Sequence, residues 1–174
     1  MSLRRYSMSV LLVACAPVAA FAQAPVADAF RHEASQAAKN LVAAAELMPA
    51  AKYGYKPTPA QMSVTDIVMH LAEGNDYFCS AISGTKAPTR SKITAAVGKD
   101  SLVARLRETF KFCDQSLASL DDSKLSEELP MFGGQKMTRA AVELLTTGDW
   151  ADHYSQMANY LRLNGILPPT AKKP

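Results

Sequence analysis

"TRAAVELLTTGDWADHYSQMANYLRLNGILPP", residues 138–169, reads as one complete helix that carries its own start and stop signals. Thr138 is placed to cap the N-terminus. Gly165 suits the left-handed residue that ends a helix, and Pro168-Pro169 forbids continuation. The predicted helix covers 139–164. Leu145, Asp149, His153, Gln156 and Tyr160 recur at three- and four-residue steps, so they share a face, and that face is expected to point inward. A buried carboxylate is costly unless it is paired or binds a cation. Gly148 costs the helix about 1 kcal/mol relative to alanine, so its placement calls for a packing or functional reason.

Three more helices precede this one. Phe30, Ala34, Ala37, Leu41, Ala44, Ala45 and Met48 form a stripe over roughly 28–48, which Pro49 ends. The segment 50–62 holds Pro57 and Pro59 and reads as a loop. Ser63-Val-Thr-Asp66 fits a capping box, although Asp is shorter than the usual Glu. The helix after it carries Val64, Ile67, Val68, Leu71, Phe78 and Ile82 on one face and stops at Gly84. A polar connection, 85–99, leads to a third helix near 100–120, with Leu102, Val103, Leu106, Phe110, Cys113, Leu117 and Leu120 on its stripe. The segment 121–137, with Pro130 and Gly133-Gly134, reads as irregular. Almost nothing reads as strand. Four amphipathic helices in one domain of this size make an all-α four-helix bundle.

The first 22 residues stand apart. Arg4 and Arg5 precede an apolar run, and Ala20-Phe21-Ala22 is an A-x-A cleavage site, so 1–22 is read as a secretory signal peptide, too short to be a membrane span. The mature chain would then be a single domain, 23–174, in the periplasm or secreted. Leu12-Val13-Ala14-Cys15 offers the alternative of a lipoprotein anchored at Cys15. Residues 23–174 carry 17 basic and 16 acidic side chains, a balance with no electrostatic footprint for nucleic acid or anionic lipid.

With Cys15 removed, Cys79 and Cys113 remain. In an oxidising space the pair is a disulfide candidate; the other reading is two buried free thiols. Cys79 lies about 16 residues into its helix and Cys113 about 13 into its own, similar depths only if both helices start at the same end. A bond between them therefore requires parallel helices. Residues 85–99 are long enough to return the chain, spanning up to about 50 Å when extended.

"LMPAAKYGYKPTPAQMSVTDIVMHLAEGNDYFC", "FKFC" and "KMTRAAVELLTTGDWADHYSQMANYLRLNGILPP" together resemble the DinB-like (DinB/YfiT) superfamily of bacterial proteins over most of the mature chain. The resemblance implies an up-down-down-up bundle with a long crossover between helices 2 and 3, in keeping with the parallel pair. It also implies a divalent metal, often nickel or zinc, on one histidine from helix 2 and an H-x-x-x-H pair from helix 4. His70 matches the first of these and His153 the last. The middle position is Asp149, a departure from the pattern.

Residues four apart on a helix can chelate one ion, and a His-Asp-His set with an open position suits zinc, nickel, manganese or iron(II). Without an ion, Asp149 and His153 would be a hydrogen-bonded pair and His70 a core histidine. Asp66 and Glu73, one turn either side of His70, are read as solvated groups or supports for the ligands. His32 is expected at the surface, Trp150, Tyr154 and Tyr160 in the core or at its rim, and Tyr53 and Tyr55 over one end.

No serine triad, phosphate-binding loop or CxxC motif is present. An activity would therefore run through the metal, as in the superfamily's thiol transferases, or be hydrolytic, on a small molecule. The alternative is a non-catalytic binding or stress-response module whose site has decayed. The resemblance further implies a homodimer.

Overall fold

The computed structural model describes residues 24–171. The signal peptide read at 1–22, with Cys15, lies outside the described residues, as do Lys172 and Lys173. Four helices dominate: α1, Pro25–Leu47; α2, Val64–Ser83; α3, Gly98–Leu117; and α4, Arg139–Leu163. A two-stranded hairpin, β1, Glu128–Pro130, and β2, Lys136–Thr138, precedes α4.

Helix α1 begins at Pro25 rather than at 28, with proline in the first turn, where its missing N–H costs nothing. Its cap comes from far along the chain: the Asp122 carboxylate accepts the N–H groups of Val26 and Ala27, at 3.1 and 2.8 Å. The capping box of α2 is complete. Ser63 Oγ accepts the Asp66 N–H at 3.1 Å, and the shorter Asp side chain still reaches back to the Ser63 N–H at 3.0 Å. Gly84 ends α2 in the left-handed conformation, φ 73°. Thr138 Oγ1 caps α4 through the Ala141 N–H. At the other end the Ile166 N–H reaches Leu161 O and the Gly165 N–H reaches Arg162 O, which closes the last turn around Gly165.

Helix α3 runs two residues earlier and ends three earlier than the 100–120 expected. The hairpin corrects the irregular reading of 121–137. Leu129 pairs with Met137, and Gly133 and Gly134, both at positive φ, make the turn. Strands of three residues are too short to show an alternation in sequence.

Helix α2 packs on α3 and α4, and α1 packs on the same two. Leu71, Ile82, Leu106, Leu117 and Leu161 are essentially inaccessible, each worth about 1.5–3 kcal/mol of burial. Asn75 meets Thr109 and Cys79 meets Cys113, so contacts advance together along α2 and α3. Cys79 and Cys113 form a disulfide, with Cα atoms 5.2 Å apart. Arg90, in the connection between these helices, grips Asp76 at 2.6 and 3.1 Å and Glu108 at 3.1 Å, pinning the connection to both.

Candidate metal centre

Three side chains from two helices converge where α2 meets α4. His70 Nε2 lies 3.1 Å from Asp149 Oδ1, and His153 Nε2 lies 3.4 Å from the same oxygen. The two imidazoles meet edge to face with centroids 4.7 Å apart. One ligand atom from each residue lies within 4.8 Å of the others.

The cluster spans the edge of the seam: of the expected inward stripe, His153 and Tyr160 are buried, Asp149 and Gln156 are partly exposed and Leu145 is exposed. The His70 side chain is 45% exposed, that of Asp149 22% and that of His153 7%. Leu145, expected on the inward face, is exposed. The buried line of α4 runs instead through Val142, Thr146, Trp150, His153, Met157 and Leu161. Asp149 is one helical step off that line, which leaves its carboxylate at the rim. Two clefts, about 560 Å³ between α1 and α4 and about 530 Å³ between α1 and α3, lie away from the cluster.

Burial pushes the Asp149 carboxyl up, but hydrogen bonds to His153 and His70 and the charge those rings carry when protonated outweigh it. The carboxyl is left below the usual aspartate range. His153 Nδ1 is buried with no hydrogen-bond partner among the described residues, so Nε2 is the ring nitrogen that engages a partner.

Two of the three donor pairs have the separation a divalent ion requires. Two donors held about 2.0–2.2 Å from one ion and about 90–110° apart are separated by about 2.8–3.6 Å. The observed 3.1 and 3.4 Å lie in that interval. Two imidazoles and one carboxylate, with solvent reaching His70, leave coordination positions free.

Behind the cluster lies a buried polar brace. The Trp150 indole N–H donates to Asn75 Oδ1 at 2.8 Å, and Asn75 Nδ2 donates to Thr109 Oγ1 at 3.2 Å. Asn75 is 1% exposed. This chain of bonds fixes the rotation of α4 one residue from Asp149 and ties it to α2 and α3. Sequence reasoning passed over Asn75, although it falls between Leu71 and Phe78 on the apolar stripe. It also passed over Glu143, which is buried with neither carboxylate oxygen hydrogen-bonded among the described residues.

The remaining candidates fall as follows. Asp66 serves the capping box, and neither it nor Glu73 joins the cluster. His32 is exposed. Trp150 and Tyr160 are core, Tyr154 lies at the rim, and Tyr53 is buried with its hydroxyl donating to Ala45 O at 2.7 Å. A Cβ on Gly148 would meet no atom within 4 Å, so close packing does not demand glycine there.

The sequence model of the DinB superfamily matches residues 33–157. Among solved structures, a DinB-like protein from Bacillus subtilis superposes with a TM-score of 0.65 at 21% identity, covering 80% of this chain and 95% of that one. A DinB-like protein from Bacillus cereus gives 0.68 at 13% identity, covering 82% and 95%. A mycothiol-dependent maleylpyruvate isomerase gives 0.62 at 10% identity, covering 85% and 64%. At these identities the likeness is one of fold. No curated protein sequence matches the chain significantly. The match to the superfamily model spans most of the sequence, both helices of the His-Asp-His cluster included: the chain belongs to the DinB superfamily.

Proposed function

We propose that this chain is an exported DinB-superfamily protein that holds one divalent ion on His70, Asp149 and His153 and acts on a small molecule at that ion. The observation that carries the reading is the convergence of both imidazole Nε2 atoms on one Asp149 oxygen at a solvent-reachable seam. The contacts that advance together along α2 and α3 support an up-down-down-up bundle with residues 85–99 as its crossover. The Cys79–Cys113 disulfide suits an oxidising compartment, in keeping with a signal peptide at 1–22. No helix of the described residues is long and apolar enough to cross a membrane.

A bound ion of this kind supplies Lewis acidity and lowers the pKa of a coordinated water or thiol. His153, the most buried of the three, fixes the position of the site. Asp149 contributes negative charge, and its lowered pKa keeps it ionised. His70 stands on the accessible side, where a substrate approaches. Both a thiol-dependent transfer and a hydrolysis are compatible with that arrangement. One solved relative in fold is a mycothiol-dependent isomerase. A thiol cofactor for this chain would have to be available outside the cytoplasm.

A second reading rests on the 3.1 Å separation of His70 and Asp149, a good hydrogen bond in its own right. On that reading the cluster is a polar latch in a non-catalytic module. Elemental analysis of protein purified without chelators separates the two. About one equivalent of zinc, nickel, manganese or iron, lost in both His70→Ala and His153→Ala, supports the ion site. Metal-free protein that also fails to take up added zinc leaves the latch.

A further inference from the structure

Two features of α4 have no part in the His-Asp-His cluster, and they meet in one place. Gly148 sits in the interior of a long helix, where glycine costs stability. Glu143 is 3% exposed, yet neither of its carboxylate oxygens is hydrogen-bonded among the described residues. Both residues line the cleft of about 560 Å³ between α1 and α4. That volume falls within the roughly 300–1,000 Å³ of small-molecule sites.

The lining of this cleft is mostly apolar, and its charges are all of one sign. Ala29, Gly148 and Ala151 contribute little or no side chain, and Val26 and Leu144 add large apolar groups that are exposed. A Cβ on Gly148 would meet no atom within 4 Å, so a larger side chain there would extend into free space. Glycine at this position keeps the cleft open; it does not serve a close approach of helices. The charged residues of the lining are Glu33 and Glu143, and no lysine, arginine or histidine among the described residues joins them.

A buried carboxylate without a partner is costly, and the charged neighbours of Glu143 are engaged elsewhere. Arg139, one turn before it on α4, donates to Glu127 at 2.7 Å. Asp122, whose charge also acts on Glu143, accepts the first N–H groups of α1. The missing partner is a cation able to enter an apolar cleft. We propose that the α1–α4 cleft binds a small primary amine with an apolar body, its ammonium group pairing with Glu143 and its body occupying the space that Gly148 leaves. The ammonium stabilises the ionised carboxylate, and the apolar body gains by leaving water. The cleft shares no residue with His70, Asp149 and His153, so this site stands apart from the ion reading.

Three probes separate charge from bulk. 2-Phenylethylamine carries both the ammonium and the apolar body, 2-phenylethanol the body alone and methylammonium the charge alone. Calorimetric titration of the purified protein at neutral pH is expected to show 2-phenylethylamine binding at least about tenfold tighter than either of the others. Glu143→Gln should cut its advantage over the alcohol below about threefold. Gly148→Leu replaces a helix-interior glycine and puts a side chain into the cleft. It should abolish binding of 2-phenylethylamine while the far-ultraviolet circular dichroism stays that of the unsubstituted protein. Equal affinity for amine and alcohol, an advantage that survives Glu143→Gln, or binding undiminished by Gly148→Leu overturns the site. So does the absence of measurable binding of 2-phenylethylamine up to about 10 mM.

Discussion

Helix α2 faces two seams of opposite character. Toward α3 it is dry and closed: Cys79 and Cys113 are covalently joined, and the buried amide of Asn75 is bonded on to Thr109 and, across to α4, Trp150. Toward α4, at His70, it is wet and open, with a carboxylate and two imidazoles gathered around a single oxygen. Rigidity on one side allows the other to keep polar groups at the surface without letting the helices shift. The α2–α3 seam fixes where residue 70 stands, and the Asn75–Trp150 bond fixes where residue 149 stands.

Opening the closed seam is expected to have the largest effect. Replacing both cysteines with alanine releases a loop with a sequence separation of 34 and is expected to lower stability by about 3–4 kcal/mol in urea denaturation. Reductant should then have no further effect on the variant. Asn75→Ala leaves the indole N–H of Trp150 without its acceptor in a dry interior, while the Thr109 hydroxyl keeps its bond to Leu106 O. A loss of about 2–3 kcal/mol follows, together with weaker zinc binding at the untouched ligands. Stability loss without any change in zinc affinity would show that the two seams are uncoupled.

A smaller effect concerns Glu143. Burial raises its carboxyl pKa, Arg139 acting against the rise and Asp122 adding to it. A raised carboxyl opposes folding once it ionises. The penalty is absent below the ordinary glutamate range of about 4.3 and complete above the raised value. Glu143→Gln is therefore expected to raise the thermal midpoint near neutral pH and to leave it unchanged near pH 3. The smallest change belongs to the open seam. His70→Ala in metal-free protein should alter stability by about 0.5 kcal/mol or less, because nearly half of the side chain is already exposed. A large loss there would make His70 a structural residue and weaken the contrast between the two seams.

The helices were legible because their stripes, caps and stops agree. Ser63, Gly84, Thr138 and Gly165 each mark a boundary by local chemistry that needs no tertiary contact. The long connection at 85–99 and the two cysteines carried the direction of α2 against α3. Three things were not legible. The hairpin is too short for a periodic signal. The cap of α1 is Asp122, nearly a hundred residues away, which no local pattern reports. The depth of the site was misjudged because helical spacing gives the angle between residues but not the position of the neighbouring helix. Leu145, Asp149, His153 and Tyr160 share a face, of which Leu145 and Asp149 lie at the rim while His153 and Tyr160 are buried.

For the site itself, helical spacing put Asp149 and His153 on one face, the resemblance to the DinB-like superfamily added His70, and the fold brings the three together. The brace behind them was hidden because an asparagine within an apolar stripe is not distinctive until its partners, Thr109 and Trp150, are placed.

The function proposed for this chain depends on an ion among these three side chains. Anomalous scattering from crystals of protein never exposed to chelator tests it most directly. One strong peak bonded to His70 Nε2, His153 Nε2 and an Asp149 oxygen is expected. Density showing those atoms in direct hydrogen bonds, with no anomalous peak even after a zinc soak, would contradict it.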